Sequence, residues 1–381
     1  MFIRVFATAM LPIVVLMYII YKKDSMQPEP KSQLRKAFYL GVLSVFLSFL
    51  LSMPFEAIGL YPSQIDSVLD AIRTSFFGAA IPEEVAKFAV LWFFLRKNSY
   101  FDEKYDGIVY AACVSMGFAA FENICYLFSN IDSYLSVGII RAIFAVPGHL
   151  CDGIMMGYYY SLVKFYPKSK HHTKNCIMVL LVPILLHGLY DAMLMMVKPA
   201  ADSVLWVIVI CVVFIVFCFK TWKYAARRIE EHLARDMKLG NEEERKKSLA
   251  VFRRLAMEKP KMFEPELADA LACMGDFYKE ADRKEEAEAM YNEAFNCLAE
   301  CKRKYPGGYD EDMAIVKKNL AGLYYAMGDY ERSREALTNA LVLFGSIEAK
   351  TERTMEHQAE ALNLLEEMNK ESEPPLAEQE Q

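Results

Sequence analysis

Long apolar runs separated by short charged stretches fill the chain as far as Phe219, and the pattern then changes character. The runs are Phe2–Tyr21, Ala37–Met53, Phe76–Leu95, Gly107–Phe128, Ile139–Val163, Cys176–Met196 and Ser203–Phe219. Each is close to the roughly 20 residues that cross a bilayer as a helix. Beyond Lys220 the sequence becomes dense in Glu, Lys, Arg and Ala, with apolar positions at helical spacing. The pattern predicts an all-α chain. Residues 1–219 form a polytopic membrane helix bundle of about seven spans, 220–257 a basic juxtamembrane helix or linker, 258–369 a soluble helical domain and 370–381 a disordered tail.

Loop charge orients the spans. Lys22, Lys23, Lys31, Arg35 and Lys36 fill the first loop, whereas Glu56, Asp66 and Asp70 face a single Arg73 in the second. Arg96, Lys97 and Lys104 follow the third run, and Lys164, Lys168, Lys170 and Lys174 follow the fifth. By the positive-inside rule the N-terminus lies outside and the C-terminal domain is cytoplasmic, as for a multi-pass protein of the cell membrane. In the second loop, "SQIDSVLDAIRTSFF" predicts a helix capped by Ser63 with Asp66, its stripe of Ile65, Val68, Leu69, Ile72 and Phe76 lying at the outer interface.

Composition adds two constraints. A net charge of -6 gives no reason to expect nucleic acid as a partner. The nine cysteines show no CxxC pair, which fits small buried hydrophobes and a reducing compartment for the C-terminal region.

The third to sixth runs hold the ionisable groups: Glu83, Glu84 and Lys87, then Glu122, then His149 and Asp152, then His187 and Asp191. Each costs about 3 kcal/mol or more at mid-bilayer, so they need one another or a function. Counted from the run ends, Glu83 lies roughly 10 Å deep, Glu122 roughly 9 Å, His149 roughly 15 Å and His187 roughly 13 Å, all in the outer half. Glu83 and Glu84 share a face with Lys87, as His187 does with Asp191, and Glu122 is one turn from the Tyr126 hydroxyl. Gly117, Gly148, Gly153, Gly157 and Gly188 would let these helices approach closely. The bland account is a polar network that fastens helices, but Ser, Thr, Asn or Gln serve that purpose more cheaply.

Paired carboxylates with histidines and no serine elbow point to activation of water by a glutamate base. An alternative is a zinc site assembled across helices from Glu84, Glu122, His149 and His187, with no HExxH helix to supply it. Tyr105-Asp106 and Tyr190-Asp191 carry the dipeptide of membrane aspartyl proteases, yet the partner GxGD is missing. Two other classes use similar residues: a proton- or metal-coupled transporter, and a non-catalytic membrane scaffold. No inverted repeat supports the transporter.

Three motifs occur in order: "EEVAK" at Glu83–Lys87 as EExxK, "FENICY" at Phe121–Tyr126 as FExxxY, and "HGLYD" at His187–Asp191 as HxxxD. Over about Phe76 to Met196 the chain resembles the PrsW family of intramembrane proteases, within the CAAX-endopeptidase-like superfamily. The resemblance implies an endopeptidase that cuts a single-span membrane protein on its extracytoplasmic side, an anti-sigma factor in the best-known case. It implies Glu83, Glu84, Glu122, His149, His187 and Asp191 as catalytic residues, with Lys87, Tyr126 and Asp152 in support. One glutamate activates water, with Glu83 favoured over Glu84, and the HxxxD pair holds the water or the oxyanion.

Past the membrane runs, "LACMGDFYKEADRKEEAEAMYNEA" and "NLAGLYYAMGDYERSREALTNAL" are similar to degenerate tetratricopeptide (TPR) units. A TPR-like cytoplasmic domain would offer a groove to a peptide or protein partner.

Overall fold

A computed structural model describes residues 1–24, 27–169 and 171–372. Most of the expected tail therefore lies outside the described residues, as does Lys170. Among the described residues all regular structure is helical, and the chain divides into two units, Met1–Asp236 and Met237–Gln381.

The first unit holds α1 (Phe2–Lys23), α2 (Lys31–Ala57), α3 (Val68–Arg73), α4 (Ile81–Leu95), α5 (Lys104–Ser129), α6 (Tyr134–Ile143), α7 (Ala145–Phe165), α8 (His172–Met195) and α9 (Val204–Met237). At its centre is α5, buried without interruption from Tyr105 to Ala120. Its sequence explains the position. "GIVYAACVSMGFAA" alternates small and medium residues on every face, so α1, α2 and α7 can all pack against it. A Cβ on Gly157 of α7 would stand 2.1 Å from the Gly107 carbonyl oxygen, and one on Gly41 of α2 would stand 2.0 Å from that of Val114. Backbone meets backbone at both crossings. Gly117, Gly153 and Gly188 also sit at close approaches, whereas the nearest atom to a Cβ on Gly148 is 3.9 Å away.

Among the described residues, six helical segments are long and apolar enough to cross a membrane: Phe2–Lys23, Lys31–Ala57, Lys104–Ser129, Ile131–Phe165, His172–Met195 and Val204–Met237. The chain is a multi-pass membrane protein. The third apolar run is composite, because α3 continues through a π-helical turn, Thr74–Ala80, into the 15-residue α4. Pro82 supplies the reason. A proline inside a helix has no N–H to donate and crowds the carbonyl four residues back, and a wider turn relieves both problems. The helix in the preceding loop begins later than the pattern suggests. Its N-cap is Ser67, whose hydroxyl accepts the Asp70 N–H while Asp70 accepts the Ser67 N–H.

Two further boundaries differ from the sequence pattern. The fifth apolar run breaks at Phe144, separating α6 from α7, with Pro147 in the first turn of α7 where no intrahelical donor is required. The last run does not stop at Phe219. Instead α9 continues for 34 residues, roughly 51 Å at 1.5 Å per residue, which exceeds the roughly 30 Å hydrocarbon core. Its charged half packs on the bundle: Glu231 accepts from the Tyr158 hydroxyl at 2.6 Å, and Arg228 pairs with Glu231 at 2.6 Å. Asp236 accepts the backbone N–H groups of Lys104 and Tyr105, capping α5. The segment read as a basic juxtamembrane helix or linker holds the end of α9 and, after a short connection, a helix that runs from Glu242 to Glu258.

The second unit holds α10 (Glu242–Glu258), α11 (Pro260–Glu280), α12 (Lys284–Lys304), α13 (Asp310–Ala326), α14 (Tyr330–Gly345) and α15 (Glu352–Ser372). Short connections pair α11 with α12 and α13 with α14. Gly275 faces the Tyr291 ring in the first pair, and the Ser333 hydroxyl donates to the Ala321 carbonyl in the second.

Candidate active site

Four segments bring the ionisable groups of the membrane runs to one cavity of about 280 Å³. Glu83, Glu122, Tyr126, Arg141, His149, Asp152, His187 and Asp191 line it, while Glu84 and Lys87 lie fully buried behind the wall. Every candidate named from the sequence falls here.

The first turn of α4 sends its two glutamates different ways. Successive helical residues diverge by about 100°, so adjacent carboxylates cannot face the same space. Glu84 turns inward, where its Oε1 accepts from Lys87 Nζ at 2.7 Å and lies 2.8 Å from His187 Nδ1. Glu83 turns to the cavity. Its Oε2 is 3.7 Å from Lys87 Nζ and 3.8 Å from His187 Nε2, and it has no hydrogen-bond partner.

His149 joins two layers of the site. Lys87 Nζ lies 3.2 Å from its Nδ1, and Glu122 Oε2 lies 2.7 Å from its Nε2. An ammonium can only donate and a carboxylate can only accept, so this pairing assigns the neutral tautomer with the proton on Nε2. His187 sits against His149 edge to face, its Nε2 3.4 Å from Asp191 Oδ2. Lys87 Nζ also lies over the Phe118 ring, 4.2 Å from its centroid.

Arg141 was not among the residues singled out from the sequence. It lies in the last turn of α6, donating to Glu122 Oε2 at 2.9 Å and to Asn123 Oδ1 at 2.5 Å. Its guanidinium covers the Tyr126 ring at 4.0 Å. The signal was a single arginine inside the fifth apolar run, six residues before Pro147.

Five carboxylates here face two fixed cations, Lys87 and Arg141. Such an excess in an apolar setting calls for shared protons or a bound cation. Donor chemistry fits a metal: single atoms of Glu84, His149, Asp152 and His187 all lie within 4.8 Å of one another, and all four residues are buried. Two imidazoles with two carboxylates suit a borderline ion such as zinc. Glu84 Oε2 is buried without a partner, leaving a lone pair for such an ion. This group of four contains Asp152 where the sequence pattern offered Glu122. Glu122 lies outside that group, its Oε2 2.7 Å from His149 Nε2, where a carboxylate would orient a metal-binding histidine.

Residues 29–219 match the profile described as PrsW family intramembrane metalloprotease. Protease PrsW of Clostridioides difficile (strain 630) is 34% identical over 248 residues, which cover 64% of this chain and 98% of that protein. Protease PrsW of Geobacillus kaustophilus (strain HTA426) is 36% identical, over 48% of this chain and 76% of its own length. That of Oceanobacillus iheyensis is 37% identical, over 48% and 79%. Among solved structures, one described as "The hypoxic regulator of sterol synthesis Nro1 is a nuclear import adaptor" aligns at 12% identity, over 87% of this chain and 99% of that one. Its TM-score of 0.30 carries no argument about fold. Ordered motifs, a single polar cavity and these relatives agree: the chain belongs to the PrsW family and is an intramembrane protease.

Proposed function

We propose that Glu83 is the general base of peptide-bond hydrolysis, acting on a single-span substrate near its extracytoplasmic end. The observation that carries this reading is the placement of Glu83: it lines the cavity, and one of its carboxylate oxygens has no hydrogen-bond partner. A water in the cavity would be within reach of that carboxylate, in a setting that favours proton transfer. Glu83 takes a proton from water as the oxygen attacks the scissile carbonyl. It then returns the proton to the amide nitrogen as the C–N bond breaks. Arg141 holds positive charge, and His187 an N–H donor, beside the developing oxyanion. Asp191 steadies the His187 ring, and Glu122 fixes the His149 tautomer.

Glu84, His149, Asp152 and His187 would hold the metal, with zinc the ion that their chemistry favours. When bound, it would supply Lewis acidity to water and to the carbonyl. Lys87 is the internal competitor, because its ammonium already engages Glu84 and His149. That contact favours a second, metal-free version in which Lys87 supplies the positive charge. Elemental analysis of the purified chain separates the two. About one equivalent of zinc, lost in His149→Ala and His187→Ala, supports the metal site, and a metal-free active protein removes it.

Loop charge supports an extracytoplasmic N-terminus, a cytoplasmic second unit and residence in the cell membrane. Of single-span substrates, a membrane-bound anti-sigma factor is the one the family resemblance implies. The helix pairs of the second unit are read as a TPR-like surface for a cytoplasmic peptide or protein partner, which would link cleavage to signalling. Mass spectrometry of fragments from a reconstituted single-span substrate tests the geometry. Cuts within a few residues of the outer membrane boundary are expected, and cuts confined to the cytoplasmic boundary would overturn the proposed orientation.

A further inference from the structure

A second group of acids gathers at the other end of α5, about 24 Å along that helix from Glu122 at 1.5 Å per residue. Asp24 follows α1, Glu29 precedes α2, Asp102 and Glu103 lie between α4 and α5, and Asp106 is in the first turn of α5. Single oxygens of Glu29, Asp102 and Asp106 lie within 4.8 Å of one another, and those of Asp24, Glu103 and Asp106 do the same. Asp106 belongs to both groups.

Part of this arrangement is ordinary capping. Asp106 Oδ2 accepts the N–H groups of Asp102 at 3.0 Å and Glu103 at 2.6 Å. Asp24 Oδ2 accepts the Glu29 N–H at 3.2 Å, and the Tyr110 hydroxyl donates to Glu29. Capping leaves one atom unexplained. Asp106 is 1% exposed, yet no N–H or O–H of the described residues reaches its Oδ1, which leaves a proton shared with the Glu29 carboxylate or a bound cation to satisfy it. An orphaned carboxylate oxygen among other acids is costly to bury. The nearby lysines are engaged elsewhere, Lys104 with Asp236 and Lys164 with the Phe101 carbonyl. Burial, helped by the Asp236 charge, pushes Asp24 up to about 6. Burial likewise pushes Glu29 and Glu103 up to about 7.

The geometry points to a binding site for a hard divalent cation of the Ca²⁺ or Mg²⁺ class, centred on Asp106 with Glu29 and Asp102 and flanked by Asp24 and Glu103. All donors are oxygens, which select hard ions over zinc or copper. Asp102 is exposed and opens the site to water. The ion would pin both connections to the start of α5, beside the Asp236 cap, and so fix the central helix that carries Glu122. This site shares no residue with the hydrolytic one and does not depend on how that site works.

The test uses the full chain in lipid nanodiscs, freed of metal with EDTA and titrated with Ca²⁺ and Mg²⁺ alone by calorimetry and thermal melting at neutral pH. One saturable site and a rise in melting temperature are expected. Asp102→Asn and Glu29→Gln should each weaken binding at least about tenfold, while His187→Ala binds as the parent does. Asp102 is exposed, so its variant keeps the reading clear of folding defects. The inference is overturned by silence up to millimolar ion, by unchanged binding in both acid variants, or by loss of binding in His187→Ala. A melting temperature that rises in Glu29→Gln regardless of ion would also overturn it, because that result marks a shared proton.

Discussion

Glu83 and Glu84 differ by one position in sequence and by role in space, which makes their side-chain amides informative. Glu84→Gln keeps the size of a side chain that touches Lys87 and His187 but removes a charge from the metal-fitting group. We predict metal affinity at least about 10- to 100-fold lower in Glu84→Gln, read by metal content after dialysis. Arg141→Met strips Glu122 and Asn123 of their shared cation. Because the pair is partly accessible, the expected loss of stability is about 3 kcal/mol or less, with activity falling alongside; Arg141→Lys should restore part of both. Much of this site was legible in sequence. One-turn spacing put Lys87 with its glutamates and His187 with Asp191, since a helix brings such residues together whatever surrounds it. Arg141 was not legible, because its role depends on a helix break at Phe144 that an apolar run conceals. Nor could spacing within helices show that Asp152 joins Glu84 and the two histidines in one group of donor atoms.

Helices here are positioned by prolines and glycines whose effects operate between elements. Pro82 reads as a defect in a membrane run until the preceding π-helical turn accommodates it. The glycines expected to allow close packing separate into tight and loose sites only once neighbours are known. Gly157→Ala should cost about 1–3 kcal/mol by forcing α7 away from the Gly107 backbone, whereas Gly148→Ala should be nearly neutral. Thermal unfolding of the two variants in the same detergent checks the contrast. Equal melting temperatures would contradict the close crossing. The end of α9 was hidden for a different reason. Lys220, Lys223, Arg227 and Arg228 read as a flank outside the membrane, but packing of Arg228 and Glu231 on Tyr158 keeps the helix with the bundle.

At the scale of the molecule, composition changes at Lys220, whereas the first compact unit closes at Asp236. A chain ending after Gly240 should therefore retain the bundle and its proteolytic activity. One ending after Phe219 loses the Glu231 contact and the Asp236 cap, and should melt lower and cleave less. Comparing the two truncations in one membrane preparation decides between a structural boundary at 236 and one at 219. The central claim is that hydrolysis runs through the Glu83 carboxylate in the shared cavity. Its most direct measurement is the single-turnover cleavage rate of Glu83→Gln against the parent chain, in proteoliposomes with a labelled single-span substrate and metal content measured in parallel. The account predicts a fall of about 10²- to 10⁴-fold with metal content unchanged. Cleavage at the parent rate would contradict it.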